Sequence, residues 1–344
     1  MNKGIIIAEQ GEKAYSYISN FLNIENNDIE VVKTTTKFNI LKISDQKMGI
    51  VNLNKINDIN KINEFFKVVN QKLNDNGIFI GCVETKIERR KRLYKKYPVV
   101  FAQIYYFFDF VFKRVFSKLW MTKWLYFFVT AGRNQVLSRA EALGRLAYCG
   151  FEIIDECEID NINYFVVKKV KMVDCVKEPR FSILFKMNRI GKNGKTITVY
   201  KIRTMHPYAE YLQEYIYKIS NLQKGGKFNN DFRITSWGRI LRKLWIDELP
   251  MLVNLFKGQL KLVGVRPLSN QYLSLYSEEL KAKRKEVKPG LIPPFYADLP
   301  NTLEEIMKSE ISYIDAYKNH PFNTDLKYFF KATTNILFNS ARSN

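Results

Sequence analysis

The sequence predicts an α/β protein built in two domains, residues 1–175 and 176–344. Three observations predict it. Residues 49–83 run as apolar stretch, helix and apolar stretch, the rhythm of an α/β layer. Beyond residue 176 a hairpin pattern gives way to a series of amphipathic helices, an α+β arrangement. At 344 residues, two domains are the default expectation, and the aliphatic and aromatic content is ample for packed cores.

In the first domain, residues 3–8 (KGIIIA) predict a buried strand, and the alternating apolar positions of 28–43 predict a hairpin. A short apolar run follows at 49–53. Residues 62–73 fit a helix with Phe65, Phe66, Val69 and Leu73 on one side, Asn76-Gly77 punctuates, and 78–83 reads as a buried strand. A helix over 139–149 and strands over 151–159 and 164–170 complete the domain. From about residue 49 to 170 this order resembles, in topology, the second half of a methyltransferase-like fold, and it implies a degenerate Rossmann-like domain. No glycine-rich loop follows the first strand, so S-adenosylmethionine has no cradle and a scaffold or regulatory role is expected.

Residues 86–96 form a basic run: a solvated face, or one drawn to anionic lipid headgroups. Residues 97–131 are the most aromatic part of the chain. Asp109, Lys113, Arg114, Lys118 and Lys123 interrupt them, so no uninterrupted stretch of about 18 apolar residues exists to cross a bilayer. On a helix, Lys113, Arg114, Ser117, Lys118 and Thr122 share one side, and Val111, Val115, Phe116, Leu119 and Trp120 lie largely on the other. Such an aromatic and basic amphipathic segment suits a membrane interface. The plain alternative is a helix pair packed on the first domain with its lysines in water.

Residues 171–180 read as a linker. A hairpin over 185–205 turns at Lys192-Asn193-Gly194, with Lys201 and Arg203 alternating with Tyr200 and Ile202, so both cations project from one strand face. A Tyr-rich helix over 207–222 follows, and Lys224-Gly225-Gly226-Lys227 makes a loop able to close over a diphosphate. Further helices are expected over 270–288, 302–318 and 324–338, the first ended by Pro289-Gly290. His206 and His320 have no nucleophile or metal ligand at a telling spacing and read as structural or exposed.

Residues 231–267 carry the densest chemistry. Asp247 and Glu248 adjoin. Arg233, Arg239, Arg242 and Lys243 precede them, and Lys257, Lys261 and Arg266 follow. Opposite charges lower a carboxylate's pKa, so both acids are expected to stay ionised, and the same field would hold a phosphorylated substrate. Pro250 is tolerated only in a helix's first turn. Asp247 therefore reads as an N-cap, with a helix over 248–257 and Gly258 as its stop. That would set both carboxylates at the positive end of a helix dipole, which also attracts phosphate. A simple cap among solvated cations is the other reading, and these residues alone leave it open.

Their context is more specific. The strings Asp231-x-Arg233-Ile-Thr235-x-x-Gly238-Arg239-x-Leu241-Arg242, Asp247-Glu248-Leu249-Pro250-x-Leu252-x-Asn254-x-x-Lys257-Gly258 and Leu262-Val263-Gly264-x-Arg266-Pro267 resemble the bacterial sugar transferase family, the monotopic polyprenyl phosphate phosphoglycosyl transferases. Arg189-Ile-Gly191 through Lys195 and Tyr200-Lys201-Ile-Arg203-Thr204-Met205 are similar to the family's first block, and Tyr313 through Asp325-Leu-Lys327 to its last. The resemblance covers roughly residues 180–340, several motifs in matching order. It implies a C-terminal sugar-transferase domain with amphipathic interfacial helices. It also implies a two-step reaction. An aspartate attacks the phosphate of a nucleotide diphosphate sugar, here a UDP-sugar, and a polyprenyl phosphate then takes the phosphosugar, the first step of polysaccharide or glycan assembly. On that resemblance Asp247 is the nucleophile and Glu248 the ligand of Mg²⁺. Lys201, Arg203, Arg233, Arg239, Arg242 and Arg266 would bind phosphate, the arginines as bidentate forks. The expected place is the cytoplasmic face of the bacterial inner membrane, as a peripheral or monotopic protein, with a cytoplasmic one as the other option. A homodimer stays open.

The family places a long hydrophobic re-entrant helix directly before its first block, where this chain has residues 171–180; either 97–131 replaces that helix or the protein does not embed. Where the family has Gly-Asp-Met-Ser this chain has Gly258-Gln259-Leu260-Lys261, and Pro289-Gly290-Leu291-Ile292-Pro293-Pro294 departs from the family's Pro-Gly-hydroxyl-Gly run. The missing helix motivates a second reading, a non-catalytic sugar-transferase-like adaptor or regulator of glycan assembly. A net charge of +21 fits anionic membrane or phosphorylated substrates; with no nucleic-acid motif or basic low-complexity tail, nucleic acid is not an expected partner. Cys82, Cys149, Cys157 and Cys175 show no metal-site spacing and read as reduced thiols. The apolar run at the N-terminus is too short for a signal peptide.

Overall fold

The computed structural model describes residues 2–43, 46–117, 120–173, 179, 181–219, 222–223, 227–228 and 231–338. It is mixed α/β and divides into two units, Met1–Pro179 with His206–Ile216, and Arg180–Met205 with Tyr217–Asn344. Cys175 and residues 224–226 of the glycine loop lie outside the described residues.

The first unit runs α1 (Asn2–Gln10), α2 (Glu12–Ser19), β1 (Ile29–Val32), α3 (Lys37–Leu41), β2 (Lys47–Lys55), α4 (Ile62–Lys72) and β3 (Leu73–Val83). After these come α5 (Lys86–Lys96), α6 (Val99–Phe110), α7 (Trp120–Thr130), α8 (Arg139–Tyr148), β4 (Phe151–Ile159) and β5 (Ile162–Lys169). The strands form one sheet in the order β1-β2-β3-β5-β4: the first three are parallel, and β5 is antiparallel to both its neighbours. Its residues are apolar on both faces because helices cover it; Ile50, Val51, Phe79, Ile80, Phe165, Val166 and Val167 are all buried. As expected, Phe65, Phe66, Val69 and Leu73 of the α4 region are buried together, and Phe66 meets Phe79 and Phe165 edge-on.

Several local expectations for this unit are overturned. Residues 3–8 are helical, because a run of consecutive apolar residues carries no period that separates helix from strand. In α1 Ile6 is buried while Ile5 is exposed, the one-sided burial of a helix packed on α2 and β2. Residues 28–43 are not a hairpin. Thr34 closes β1, its backbone N–H and C=O each bonded 3.1 Å from the Asn52 side chain, and Thr36 stands at the N-cap position of α3. Asn76-Gly77 lies inside β3, at an irregularity of the ladder with Asn76 at φ 64°, rather than between elements.

Residues 97–131 form α6, a π-helical turn over Val111–Phe116, and α7. The cations expected in water or at lipid headgroups turn inward instead, while Val111, Val115 and Phe116 are half-buried. Asp109 and Arg114 are buried, and Lys113 turns back 2.8 Å from Asp109 instead of into water. Buried acids within reach draw these cations inward, a choice helical spacing alone cannot reveal. Lys118 and Leu119 lie outside the described residues.

The segment His206–Ile216 belongs to this first unit although it lies within the second half of the sequence. Tyr208 is buried, its hydroxyl bonded to Asn63 Nδ2 (2.6 Å) and its ring beneath the Arg145 guanidinium (4.5 Å). A short 3₁₀ turn leads here into α9 (Gln213–Ile219), so the expected helix over 207–222 is only partly formed. His206 is buried, its Nε2 3.4 Å from Lys86 Nζ.

The second unit opens with the hairpin β6 (Leu184–Ile190) and β7 (Thr196–Ile202), turning at Lys192–Gly194 as expected. Then come β8 (Leu222–Gln223), β9 (Lys227–Phe228), α10 (Ser236–Lys243), a 3₁₀ helix over Ile246–Met251, α11 (Leu252–Phe256), β10 (Lys261–Val263), α12 (Asn270–Leu273), α13 (Glu278–Glu286), β11 (Gly290–Ile292), α14 (Phe295–Asp298), α15 (Leu303–Asn319) and α16 (Pro321–Phe338). The helix expected over 270–288 is two, because Ser269 and Ser277 each cap a new start. After Pro289 the chain pairs β11 in parallel with β10, and the backbones touch. A Cβ on Gly290 would stand 2.1 Å from Gly264 N, so neither glycine admits a side chain. Val263, Val265, Leu280, Tyr313 and Ile314 form the core around these elements.

Candidate active site

Three elements of the second unit build the surroundings of the adjacent acids. β7 supplies Lys201 and, just beyond its end, Thr204. α10 supplies Arg242, and the 3₁₀ helix supplies Asp247 and Glu248. Thr204 ties them together. Its carbonyl accepts from Thr235 N and Thr235 Oγ1, both at 2.9 Å, and its hydroxyl accepts from Arg242 Nε at 2.9 Å. Thr235 caps α10 by accepting from Gly238 N (2.9 Å). Gly238 is required at that spot, since a Cβ there would lie 2.2 Å from the Thr204 carbonyl oxygen.

Asp247 is not an N-cap. The residue at the head of the helix is Trp245, in the left-handed region at φ 62° and without a side-chain cap, and Asp247 is the second residue of the 3₁₀ turn. Pro250 explains the change: it has no N–H and clashes with the carbonyl four residues back, so the chain winds more tightly until α11 begins at Leu252. Gly258 ends the helix at φ 66°, as expected. With only six residues of 3₁₀ helix and five of α-helix, little dipole stands behind the acids, and the cations become the main positive field.

Both carboxylates are largely enclosed, each residue 6% exposed. Glu248 Oε1 accepts from Lys201 Nζ at 2.5 Å. Among the described residues no side-chain donor is bonded to the Asp247 carboxylate. Burial lifts the Asp247 pKa above the ordinary aspartate value and the Glu248 charge adds to this, while Lys201 and Arg242 pull downward without cancelling it. The direction is therefore opposite to that expected from charge alone; desolvation outweighs the basic field. Arg242 feels the complementary effect: burial lowers its pKa against the pull of Asp247 and Asp231.

The other predicted phosphate ligands are placed unequally. Arg233 is buried and clasped by Asp231, Nε at 2.9 Å from Oδ1 and Nη2 at 2.7 Å from Oδ2. Arg203 lies with its guanidinium over Phe181 (5.1 Å) and Phe185 (4.8 Å). Arg239 is exposed on α10. Arg266 is exposed, 5.8 Å from the Phe295 ring, with its carbonyl held by Arg284. Lys261 pairs with Asp325 (3.0 Å to both oxygens) and sits 3.2 Å over Tyr317. Lys201, Arg242, Asp247 and Glu248 thus come together. Asp231 and Asp325, the partners that occupy two of the surrounding cations, are the side chains that sequence spacing could not connect.

Around the acids exposed apolar side chains gather among the cations: Trp237 and Ile240 of α10, Leu244 just past its end, Leu249 of the 3₁₀ helix, and Val253 and Phe256 of α11. No group of three or more acidic, His or Cys side chains able to hold a metal occurs among the described residues. The two adjacent carboxylates still suit Mg²⁺, which takes one or two protein carboxylates and completes its shell with water and phosphate oxygens.

Residues 164–339 match the family model described as bacterial sugar transferase. Over 157 residues the chain is 38% identical to the uncharacterized sugar transferase EpsL of Bacillus subtilis, a match spanning 45% of this chain and 70% of that protein. It is 30% identical over 165 residues to the UDP-N-acetylgalactosamine-undecaprenyl-phosphate N-acetylgalactosaminephosphotransferase of Aeromonas hydrophila, 45% of this chain and 35% of that one. It is 37% identical over 110 residues to the UDP-glucose:undecaprenyl-phosphate glucose-1-phosphate transferase of Caulobacter vibrioides, 31% of this chain and 38% of that one. The chain thus spans little more than a third of the length of these last two relatives.

Proposed function

Because this chain belongs to the bacterial sugar transferase family, we propose that it moves a phosphosugar from a UDP-sugar to a polyprenyl phosphate at the cytoplasmic face of the inner membrane. The observation that carries this reading is Asp247 beside Glu248, with Lys201 and Arg242 bearing on it, inside the stretch the family shares.

In the proposed first step an Asp247 oxygen attacks the sugar-bearing phosphorus. The bond from that phosphorus to the bridging oxygen breaks, and UMP leaves with the electron pair. The acyl phosphate so formed splits one displacement into two. A phosphate oxygen of the polyprenyl phosphate then attacks the same phosphorus, and the Asp247 carboxylate leaves. Arg242, braced by Thr204, steadies negative charge on the diphosphate. Lys201 keeps Glu248 in place and offsets part of the burial that resists Asp247 ionisation. Glu248 would hold Mg²⁺, which when bound neutralises charge on the diphosphate. The first unit is read as a degenerate Rossmann-like scaffold; its three parallel strands edged by an antiparallel pair support this.

A second reading, a non-catalytic adaptor of glycan assembly, draws on the near-complete enclosure of both acids and the occupation of Glu248 by Lys201. One assay separates the two. Purified full-length protein with Mg²⁺, a panel of UDP-sugars and undecaprenyl phosphate should release UMP with one of the sugars, and Asp247→Asn should not. No release from any sugar, or equal release from the variant, favours the adaptor.

A further inference from the structure

The α6–α7 hairpin has its polarity turned inside out. Its outward side chains are Val99, Val100, Phe101, Ile104, Phe107 and Phe108 on α6, with uncharged Gln103 and Tyr105 among them, and Met121, Trp124, Leu125, Phe128 and Val129 on α7; Phe101 is 69% and Phe128 82% exposed. Among the described side chains of the two helices no exposed one is charged. Asp109, Lys113 and Arg114, the charges among the described side chains, point inward, and each is matched. Asp109 takes a bidentate pair from Arg89 (Nε–Oδ2 2.6 Å, Nη2–Oδ1 2.9 Å) and a third contact from Lys113 (2.8 Å). Arg114 in the π-helical turn bonds Glu141 and the Val136 carbonyl. These buried pairs fasten the hairpin to α5 and α8, so the outward face is held out by ionic contacts rather than left over from loose packing.

Monomeric proteins rarely expose so continuous an apolar surface unless it has an occupant. Charge complementarity names the occupant. The face is entered from α5, where Arg90, Lys95 and Lys96 are exposed, and is left past exposed Arg133. A cationic border around an apolar face matches an anionic lipid surface. Length sets the depth. α6 continues unbroken into the π-helical turn, so Val99–Phe116 is at most about 27 Å long and the 11-residue α7 about 16 Å, against a hydrocarbon core of about 30 Å, and no helix among the described residues is long and apolar enough to cross.

We propose that the outer face of α6–α7 seats in one leaflet of an anionic bilayer, with α5 and Arg133 at its headgroups. This goes beyond the transfer reaction and does not depend on it. The test is flotation of the full chain with vesicles of phosphatidylcholine alone or mixed with phosphatidylglycerol, and quenching of Trp124 by brominated lipid. The wild type should float, more strongly with phosphatidylglycerol. Phe101→Ser with Phe128→Ser should lower partitioning by about tenfold or more per phenylalanine, given the transfer free energy of an aromatic side chain. Its thermal midpoint should be unchanged, since both side chains are exposed. Lys95→Glu with Lys96→Glu should lower binding to the phosphatidylglycerol vesicles only. The lipid-quenched fluorescence should fall in Trp124→Phe. Flotation untouched by the double serine variant, with quenching untouched by Trp124→Phe, would place membrane contact elsewhere and overturn the proposal while leaving the transfer reading intact. Absence of vesicle binding, with a dimer that the double serine variant dissolves, would assign the face to a second copy instead.

Discussion

Asp109 in the first unit and Asp247 in the second are both enclosed aspartates among cations, yet they are treated in opposite ways. Asp109 receives three direct contacts from Arg89 and Lys113; burial raises its pKa, but those hydrogen bonds more than reverse the effect and hold it below the ordinary value. Asp247 has Lys201 and Arg242 close enough to act on it but no side-chain donor bonded to its carboxylate among the described residues, and burial wins. An acid satisfied by its neighbours has nothing left to offer a substrate. An acid placed in a positive field with no side-chain donor upon it keeps lone pairs that, on the proposed reading, serve an incoming phosphorus, and it is held closer to its neutral form. On the proposed function, the difference separates a fastening from a reagent.

The sharpest way to break this contrast is to make the same substitution at both positions. Asp247→Asn should cut sugar-dependent UMP release by about a thousandfold or more, since the proposed nucleophile is lost, yet shift the unfolding free energy by no more than about 1 kcal/mol. Asp109→Asn should do the reverse: about 3 kcal/mol of stability lost, because buried Arg89 loses its bidentate partner and keeps only the longer ionic contact to Glu84, while Lys113 loses its acid altogether. Its effect on turnover per folded molecule, measured in detergent, should be small. A stable, active Asp109→Asn together with an unfolded Asp247→Asn would reverse the assignment.

A smaller effect lies in the pH dependence. The folded pKa of Asp109 is below its unfolded value, so its contribution to stability is complete above the ordinary aspartate range and is lost as pH falls through the depressed value. The folded pKa of Asp247 is above its unfolded value, so its contribution is complete in acid and is lost as pH rises through the raised value. Urea midpoints of wild type and both Asn variants between about pH 3 and 7 should show differences of opposite slope. The acid limb of the rate profile should lie above the ordinary aspartate pKa. Lys201→Met should move it higher still and cost roughly 10- to 100-fold in rate through the loosened Glu248. The smallest effect belongs to exposed Arg239: Arg239→Ala should leave stability within about 0.5 kcal/mol.

Much of the fold was legible because burial imposes a period. The sides of α4 and the strands at 78–83, 151–159 and 164–170 follow from where apolar residues recur. Legibility failed where a side chain replaces a backbone partner, as Asn52 does at Thr34, and where consecutive isoleucines carry no period at all. At the candidate site the residue types were legible but their engagements were not. Nothing in the spacing says that Arg233 is spent on Asp231 or Lys261 on Asp325, 64 positions away. The hairpin shows the same limit: a helical wheel separates Lys113 and Arg114 from the phenylalanines, but only the location of Asp109 and Glu141 decides which side faces in.

The excursion at His206–Ile216 bears on how the molecule can be divided. Between the strand that carries Lys201 and the helix that carries Arg242, the chain leaves its own half to bury Tyr208, Leu212 and Ile216 among first-unit side chains, then returns. A truncation at the linker would strip three large apolar groups of their cover in the middle of the segment joining those two cations. The sugar-transferase half cut free at residue 180 should therefore be sticky and poorly soluble, and cutting out 206–216 in favour of a short glycine-serine bridge should be the gentler way to isolate it.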